Sequence, residues 1–245
     1  MKKNMIVLDM PKSPAAEAIR SLRTNIVYKM HEHNLKTFLF TSPSTQDGKS
    51  FIVSNLAVAF SQSRHKVLVI DCDVTKKRQT NVFNVDNSNG LTKALENKNI
   101  SAENSNVKAE INKIIQETEI NNVYIIPSGL SSSTEELYDT PQMDTILNTV
   151  KEDFDVILLD SPPINIVSDT MSLCKKVDGV VGVCAIERSK TTELLEMKNT
   201  ITSMGGNIIG MVVNRMPMTK LKAYTKSYHA YTHSNSLTLK NKNKE

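Results

Sequence analysis

Residues 41–50 read TSPSTQDGKS, and the three types that close this run could grip a phosphate chain. Gly48 lets the backbone approach phosphate oxygens closely, Lys49 can reach the β and γ phosphates, and the Ser50 hydroxyl can bind Mg²⁺. Ser44, Thr45, Gln46, Asp47 and Phe51 complete the stretch. Its N–H groups, at the start of a helix, would cradle the anion. The full G-x-x-x-x-G-K-[ST] pattern has glycine at position 43, where this chain has Pro43. A plain turn before a helix is the alternative reading.

Three carboxylates stand where they could complete such a site. Residues 67–73 read VLVIDCD, placing Asp71 and Asp73 at the end of an apolar run. Residues 156–163 read VILLDSPP, placing Asp160 in the same way. A carboxylate at the C-terminal end of a parallel strand faces the crevice where ligands bind. On its own, such an aspartate is more often a turn or cap residue. Beside the loop, Asp160 makes the Walker B arrangement that holds Mg²⁺ directly or through water. Three carboxylates with Ser50 would offer the oxygen-rich shell this ion prefers.

These residues need a sheet to hold them. Apolar runs at 37–41, 67–70, 123–126, 156–159, 179–186 and 208–213 read as buried strands. Helical spacing is expected at 13–30, opened by Ser-Pro, and at 49–63, 142–150 and 191–204. Near-continuous strands alternating with helices predict a doubly wound, mostly parallel α/β sheet covered on both faces. The polar segment 87–121 is expected to hold helices with loops.

Composition narrows the setting. Of 245 residues, 39% are apolar and 23% charged, enough for a core and unlike a disordered chain. Cys72, Cys174 and Cys184 form no CxxC pair, which argues against a disulfide scaffold or a zinc module. The longest apolar-rich stretch, 179–186, is strand length, so the expectation is a soluble, intracellular chain. The net charge is +4, yet residues 219–245 alone carry six Lys against one Glu. The basic character therefore lies in the tail, which argues against a nucleic-acid-binding body. A division into a domain over 1–218 and a mobile, basic, tyrosine-containing tail over 219–245 is expected.

Taken together, SPSTQDGKS, VLVIDCD and VILLDSPP resemble the modified Walker A, Walker A prime and Walker B motifs of the bacterial tyrosine kinases of capsular and exopolysaccharide systems. A fourth match is Glu17, Arg20 and Arg23, the ExxRxxR pattern on one helix, which the resemblance assigns to docking neighbouring subunits in a ring. Read alone it is an ordinary solvated charged face. The fifth is Tyr224, Tyr228 and Tyr231, half of the six tyrosines, set among Lys, Thr, Ser and His. The resemblance spans residues 14–231.

It implies a P-loop NTPase fold of the ParA/MinD type, with ATP and Mg²⁺ as cofactors. Lys49, Asp71, Asp73 and Asp160 would be catalytic, with Asp71 as the base. Ser50, Asp73 and Asp160 would hold the metal, and Asn214 would touch adenine or else cap a turn. It implies transfer to tail tyrosines of a neighbouring copy, a membrane-protein activator recruiting the chain to the inner face of the membrane, and a cognate phosphotyrosine phosphatase.

There are departures. The family has Pro-Gly where this chain has Thr45-Gln46, and Arg and Pro where it has Thr75 and Lys77. Lys76, Lys77 and Arg78 offer replacement charge. A proline-rich stretch is reduced to Ser131-Ser132-Ser133-Thr134. Two other readings are thus carried: a positioning ATPase, against which Ser44 stands where that group has a signature Lys, and a weakly catalytic ATP-binding regulatory subunit.

Overall fold

The computed structural model describes residues 5–130 and 137–217. In chain order, α1 is Ile6–Asp9, α2 Pro14–His33, β1 Thr37–Thr41, α3 Lys49–Gln62, β2 Val67–Asp71 and α4 Arg78–Phe83. Then come α5 Leu91–Leu95, α6 Val107–Asn112, β3 Gln116–Glu117, β4 Val123–Ile126, α7 Pro141–Asp153 and β5 Val156–Asp160. α8 Asp169–Cys174, β6 Gly179–Ala185, α9 Thr191–Ser203 and β7 Ile208–Asn214 complete it. The sheet runs β3-β4-β2-β5-β1-β6-β7, parallel throughout except for β3, which pairs antiparallel with β4.

Each inner strand buries both of its faces. On β1, Leu39 joins a cluster with Leu68, Ile70 and Leu159, covered by residues of α5 to α9. Its neighbours Phe38 and Phe40 point the other way, into a cluster with Val69, Leu158 and residues of α1 to α4. This period of two with apolar side chains on both faces explains the unbroken apolar runs. α3 is buried along most of its length, between the sheet and α2. At α2 the Ser13 hydroxyl accepts from the Ala16 N–H at 3.1 Å, Pro14 opens the helix, and Asn34 ends it in the left-handed region.

The expected strands and long helices are present, with ends shifted by a few residues. The segment 87–121 holds helices and loops, as expected, and adds the edge strand β3. The short helices α1, α4 and α8 carry too few turns to declare a period in sequence. Among the described residues no helix is long and apolar enough to cross a membrane. The expected tail, with Tyr224, Tyr228 and Tyr231, lies outside the described residues, as do Ser131–Thr134.

Candidate active site

β1 delivers the chain to the loop, and α3 leaves it. The loop is pinned from behind. Asp47 is buried, and its carboxylate accepts from the Ser44 N–H (3.2 Å) and the Ser189 hydroxyl (3.3 Å). The Asp47 carbonyl accepts from Asn214 Nδ2 at 2.8 Å, tying the end of β7 to the loop. Gly48 sits at φ 94°, and a Cβ there would overlap the Asn214 amide. Gln46, where the family has glycine, is also left-handed at φ 65°. Thr45 and Gln46 face solvent.

Lys49 is 7% exposed, and its ammonium donates to the Ser42 hydroxyl at 2.9 Å. Burial pushes its pKa down, against the pull of Asp160, Asp73 and Asp47. The Ser42 hydroxyl in turn donates to the Ser44 carbonyl at 2.6 Å. The lysine is thus held inside the loop, with anions around it.

The three aspartates differ in what they offer. Asp73 opens onto two clefts and accepts from the Lys76 N–H at 3.1 Å. Asp71 is fully buried: one oxygen accepts from the Thr80 N–H and hydroxyl, both at 3.0 Å, and the other from the Asp73 N–H at 3.3 Å. Burial, with Asp160 beside it, raises its pKa to about 7. Asp160 is also fully buried, and burial raises it too, against the Ser50 hydroxyl, Gln79 and Lys49. One Asp160 oxygen accepts from Gln79 Nε2 at 2.8 Å, and the other has no hydrogen-bond partner.

The oxygen-rich shell expected from three carboxylates is not assembled, because Thr80 and the Asp73 N–H take up Asp71. Among the described residues no three His, Cys, Asp or Glu side chains converge as a metal cage. Mg²⁺ on a nucleotide does not need one, since it keeps waters and phosphate oxygens and takes one or two carboxylates. Ser50, Asp73 and the unpaired oxygen of Asp160 suit that role.

Two clefts meet at Asp73 and Lys76. The first, of about 560 Å³, is lined by Gln46, Gly48, Lys49, Ser50, Phe51 and Asn214 from the expected set. Arg78 and Arg215 line it too, cations that lie outside the loop motif. The second, of about 640 Å³, has Leu137, Pro162, Pro163 and Ile166 in its wall, with Thr45 and Thr75. Lys77 lines neither; it is the residue before α4, at φ 48°.

The ExxRxxR residues lie on α2, away from the clefts. Arg20 bridges Glu17 (2.8 Å) and the Pro11 carbonyl. Arg23 donates to the Ala59 carbonyl (3.1 Å) and the Ser63 hydroxyl at the end of α3.

Sequence reasoning missed Ser42, Gln79, Thr80 and Ser189. Ser42 and Thr80 lie close to motifs, but nothing in their types marks them. Ser189 and Gln79 are brought in by the sheet and by α4.

Residues 46–205 match the AAA domain family. The putative tyrosine-protein kinase CapB of Staphylococcus aureus is 32% identical over 221 residues, 90% of this chain and 92% of CapB. The crystal structure of the chimerical protein CapA2B2 superposes with a TM-score of 0.77 at 31% identity, over 89% of this chain and 92% of that one. The kinase domain of the Escherichia coli tyrosine kinase Etk gives 0.77 at 28%, over 87% and 82%. Against the whole of Etk from strain K12 the match covers 29% of that protein's length.

Proposed function

This chain belongs to the AAA domain family and, within it, to the bacterial tyrosine-protein kinases, and from that premise we propose an autophosphorylating kinase that regulates capsular or exopolysaccharide polymerisation and export. One observation carries the reading furthest. The phosphate loop, Asp73 and Asp160 lie at the C-terminal ends of the adjacent strands β1, β2 and β5, and a second cleft opens beside them on the other side of Asp73.

The reaction moves the γ-phosphoryl group of ATP to a tyrosine hydroxyl. The bond from the phenolic oxygen to phosphorus forms, the bridging bond to ADP breaks, and the phenolic proton goes to Asp71. Backbone N–H groups from Thr45 to Phe51 and the Lys49 ammonium stabilise the phosphate charge. Asn214 lines the same cleft as Gly48, Lys49 and Ser50 and would touch adenine. Ser50, Asp73 and Asp160 would hold Mg²⁺, which would supply positive charge to offset that of the phosphates. The second cleft, apolar along Leu137, Pro162, Pro163 and Ile166 with a carboxylate at its mouth, suits an incoming tyrosine ring. Asp71 lines neither cleft and has both oxygens engaged, so acting as base requires the Thr80 hydroxyl to release one and the tyrosine to reach it; a pKa of about 7 suits that role.

The acceptors are Tyr224, Tyr228 and Tyr231, presented by one copy to the next in a ring docked through Glu17, Arg20 and Arg23. Residues 1–218 form the catalytic unit and 219–245 the acceptor tail. A membrane-protein activator recruits the chain to the cytoplasmic face of the membrane, and a phosphotyrosine phosphatase resets it.

The test is a phosphotyrosine readout in the native host, comparing wild type, Lys49→Met and the triple Tyr→Phe variant at 224, 228 and 231. Signal in wild type that both variants lose supports the kinase. ATP binding with no phosphotyrosine in wild type overturns it in favour of a regulatory subunit or a positioning ATPase.

A further inference from the structure

Gln79 lies in the first turn of α4, is fully buried, and belongs to none of the motifs. Its Nε2 donates to the Ser50 carbonyl at 2.9 Å and to Asp160 Oδ2 at 2.8 Å. The Ser50 carbonyl is an acceptor only, so the NH₂ group must face it and Oε1 must face away. Gln79 Oε1 has no hydrogen-bond partner, and neither has Asp160 Oδ1, although both atoms are buried.

Two buried acceptors left without donors, on two side chains bonded to each other, are unfavourable unless a donor arrives. Elsewhere the loop is economical: Asp47, Asp71 and Ser42 all have their oxygens engaged. The Ser50 hydroxyl reaches the Asp160 carboxylate and favours its ionised form, yet no donor meets Oδ1 at hydrogen-bond geometry. Water on a divalent cation is a strong donor and would satisfy such atoms. A carboxylate with one oxygen held by Gln79 is restricted in rotation, so its second oxygen has a preferred direction.

We infer that Gln79 is a positioning residue, which occupies one oxygen of Asp160 and so directs the other to water bound on the nucleotide's Mg²⁺. This rests on the Mg-nucleotide reading of the site. It assigns to α4, a helix outside the loop and both acidic strands, a share in metal affinity. A purely structural Gln79 would instead tie α4 to the start of α3 and influence nucleotide binding with or without metal.

The experiment is a titration of the full chain with fluorescent ADP, in Mg²⁺ and in EDTA. Wild type is expected to bind more tightly in Mg²⁺. Gln79→Leu is expected to keep its affinity in EDTA and to lose about tenfold of the Mg²⁺ gain. Gln79→Glu, which keeps the shape, serves if the leucine variant does not fold. It removes the NH₂ donor to Asp160 while filling the same volume, and is expected to lose the Mg²⁺ gain and to keep its affinity in EDTA. A wild type with no Mg²⁺ gain would overturn the underlying reading of the site. A variant that keeps the full gain, or loses affinity equally in Mg²⁺ and EDTA, would overturn the role of Gln79 alone.

Discussion

Asp71 and Asp160 are register partners across the parallel pair β2 and β5, both fully buried at the strand ends that face the site. The Asp71 carboxyl, raised to about 7 by burial and by Asp160, keeps its proton over a range in which the unfolded chain has lost it, above about 3.8. The folded state therefore binds more protons between those values, and the stability of the nucleotide-free protein falls as pH rises through them. The change is on the order of 4 kcal/mol. Asp71→Asn should flatten thermal midpoint against pH over this window. An undiminished slope in the variant would refute the assignment. If Asp71 is the base, turnover rises as pH passes about 7, where the carboxylate forms.

Gly48 meets two demands at once: φ of 94° and close approach of the Asn214 amide. Gly48→Ala should lose roughly 1–2 kcal/mol of stability and weaken ADP at least about tenfold, through both strain and displacement of the β7 end. An unchanged midpoint by calorimetry, with normal ADP binding, would contradict this.

Gln46 and Lys77 occupy left-handed backbone, at φ 65° and 48°. Gln46→Gly should stabilise the fold by roughly 0.5–1 kcal/mol, since glycine takes this region without strain. Lys77→Pro should destabilise by about 3 kcal/mol or more, because proline is fixed near φ of about −65°. Urea unfolding of the two variants tests both signs.

Asp178 joins β1 to β6 from one side chain. It accepts from the N–H groups of Lys36 and Thr37, each at 2.8 Å, and from the Lys151 ammonium at 2.7 Å. Burial works against its ionised form, yet these donors outweigh it and hold the pKa below the usual 3.8. Its stabilisation is full above that value and is lost as pH falls below it. Asp178→Asn should cost roughly 1.5–3 kcal/mol at neutral pH and have less effect in acid. An equal loss at both pH values would argue against the charge.

Arg23 caps the end of α3 within its own chain, whereas the Glu17 carboxylate pairs with Arg20 on the same helix. Arg23→Ala alone should therefore lower the thermal midpoint, by about 1 kcal/mol in stability, and Glu17→Ala should not. The triple change at Glu17, Arg20 and Arg23 should also lower the light-scattering mass of a protein that assembles. A wild type that assembles and a triple variant of equal mass would sink the docking role.

Much of this molecule was legible along the chain. A glycine, lysine and serine between a strand and a helix point to phosphate without any tertiary knowledge, because backbone amides at a helix start favour anions wherever they occur. Two apolar runs ending in aspartate point to strand ends at a crevice, because parallel strands buried on both faces read as unbroken apolar sequence. What the runs could not show was their order. Only the sheet, with β5 between β1 and β2, sets Asp160 against Asp71 and turns two separate acids into a coupled pair. Only α4 brings Thr80 to one of them and Gln79 to the other. Placement decided the rest: the same residue type lines both clefts at Asp73 and is a raised, enclosed carboxyl at Asp71. That difference lies in which donors and how much water surround each carboxylate, and neither is written in the residue's own name or its spacing.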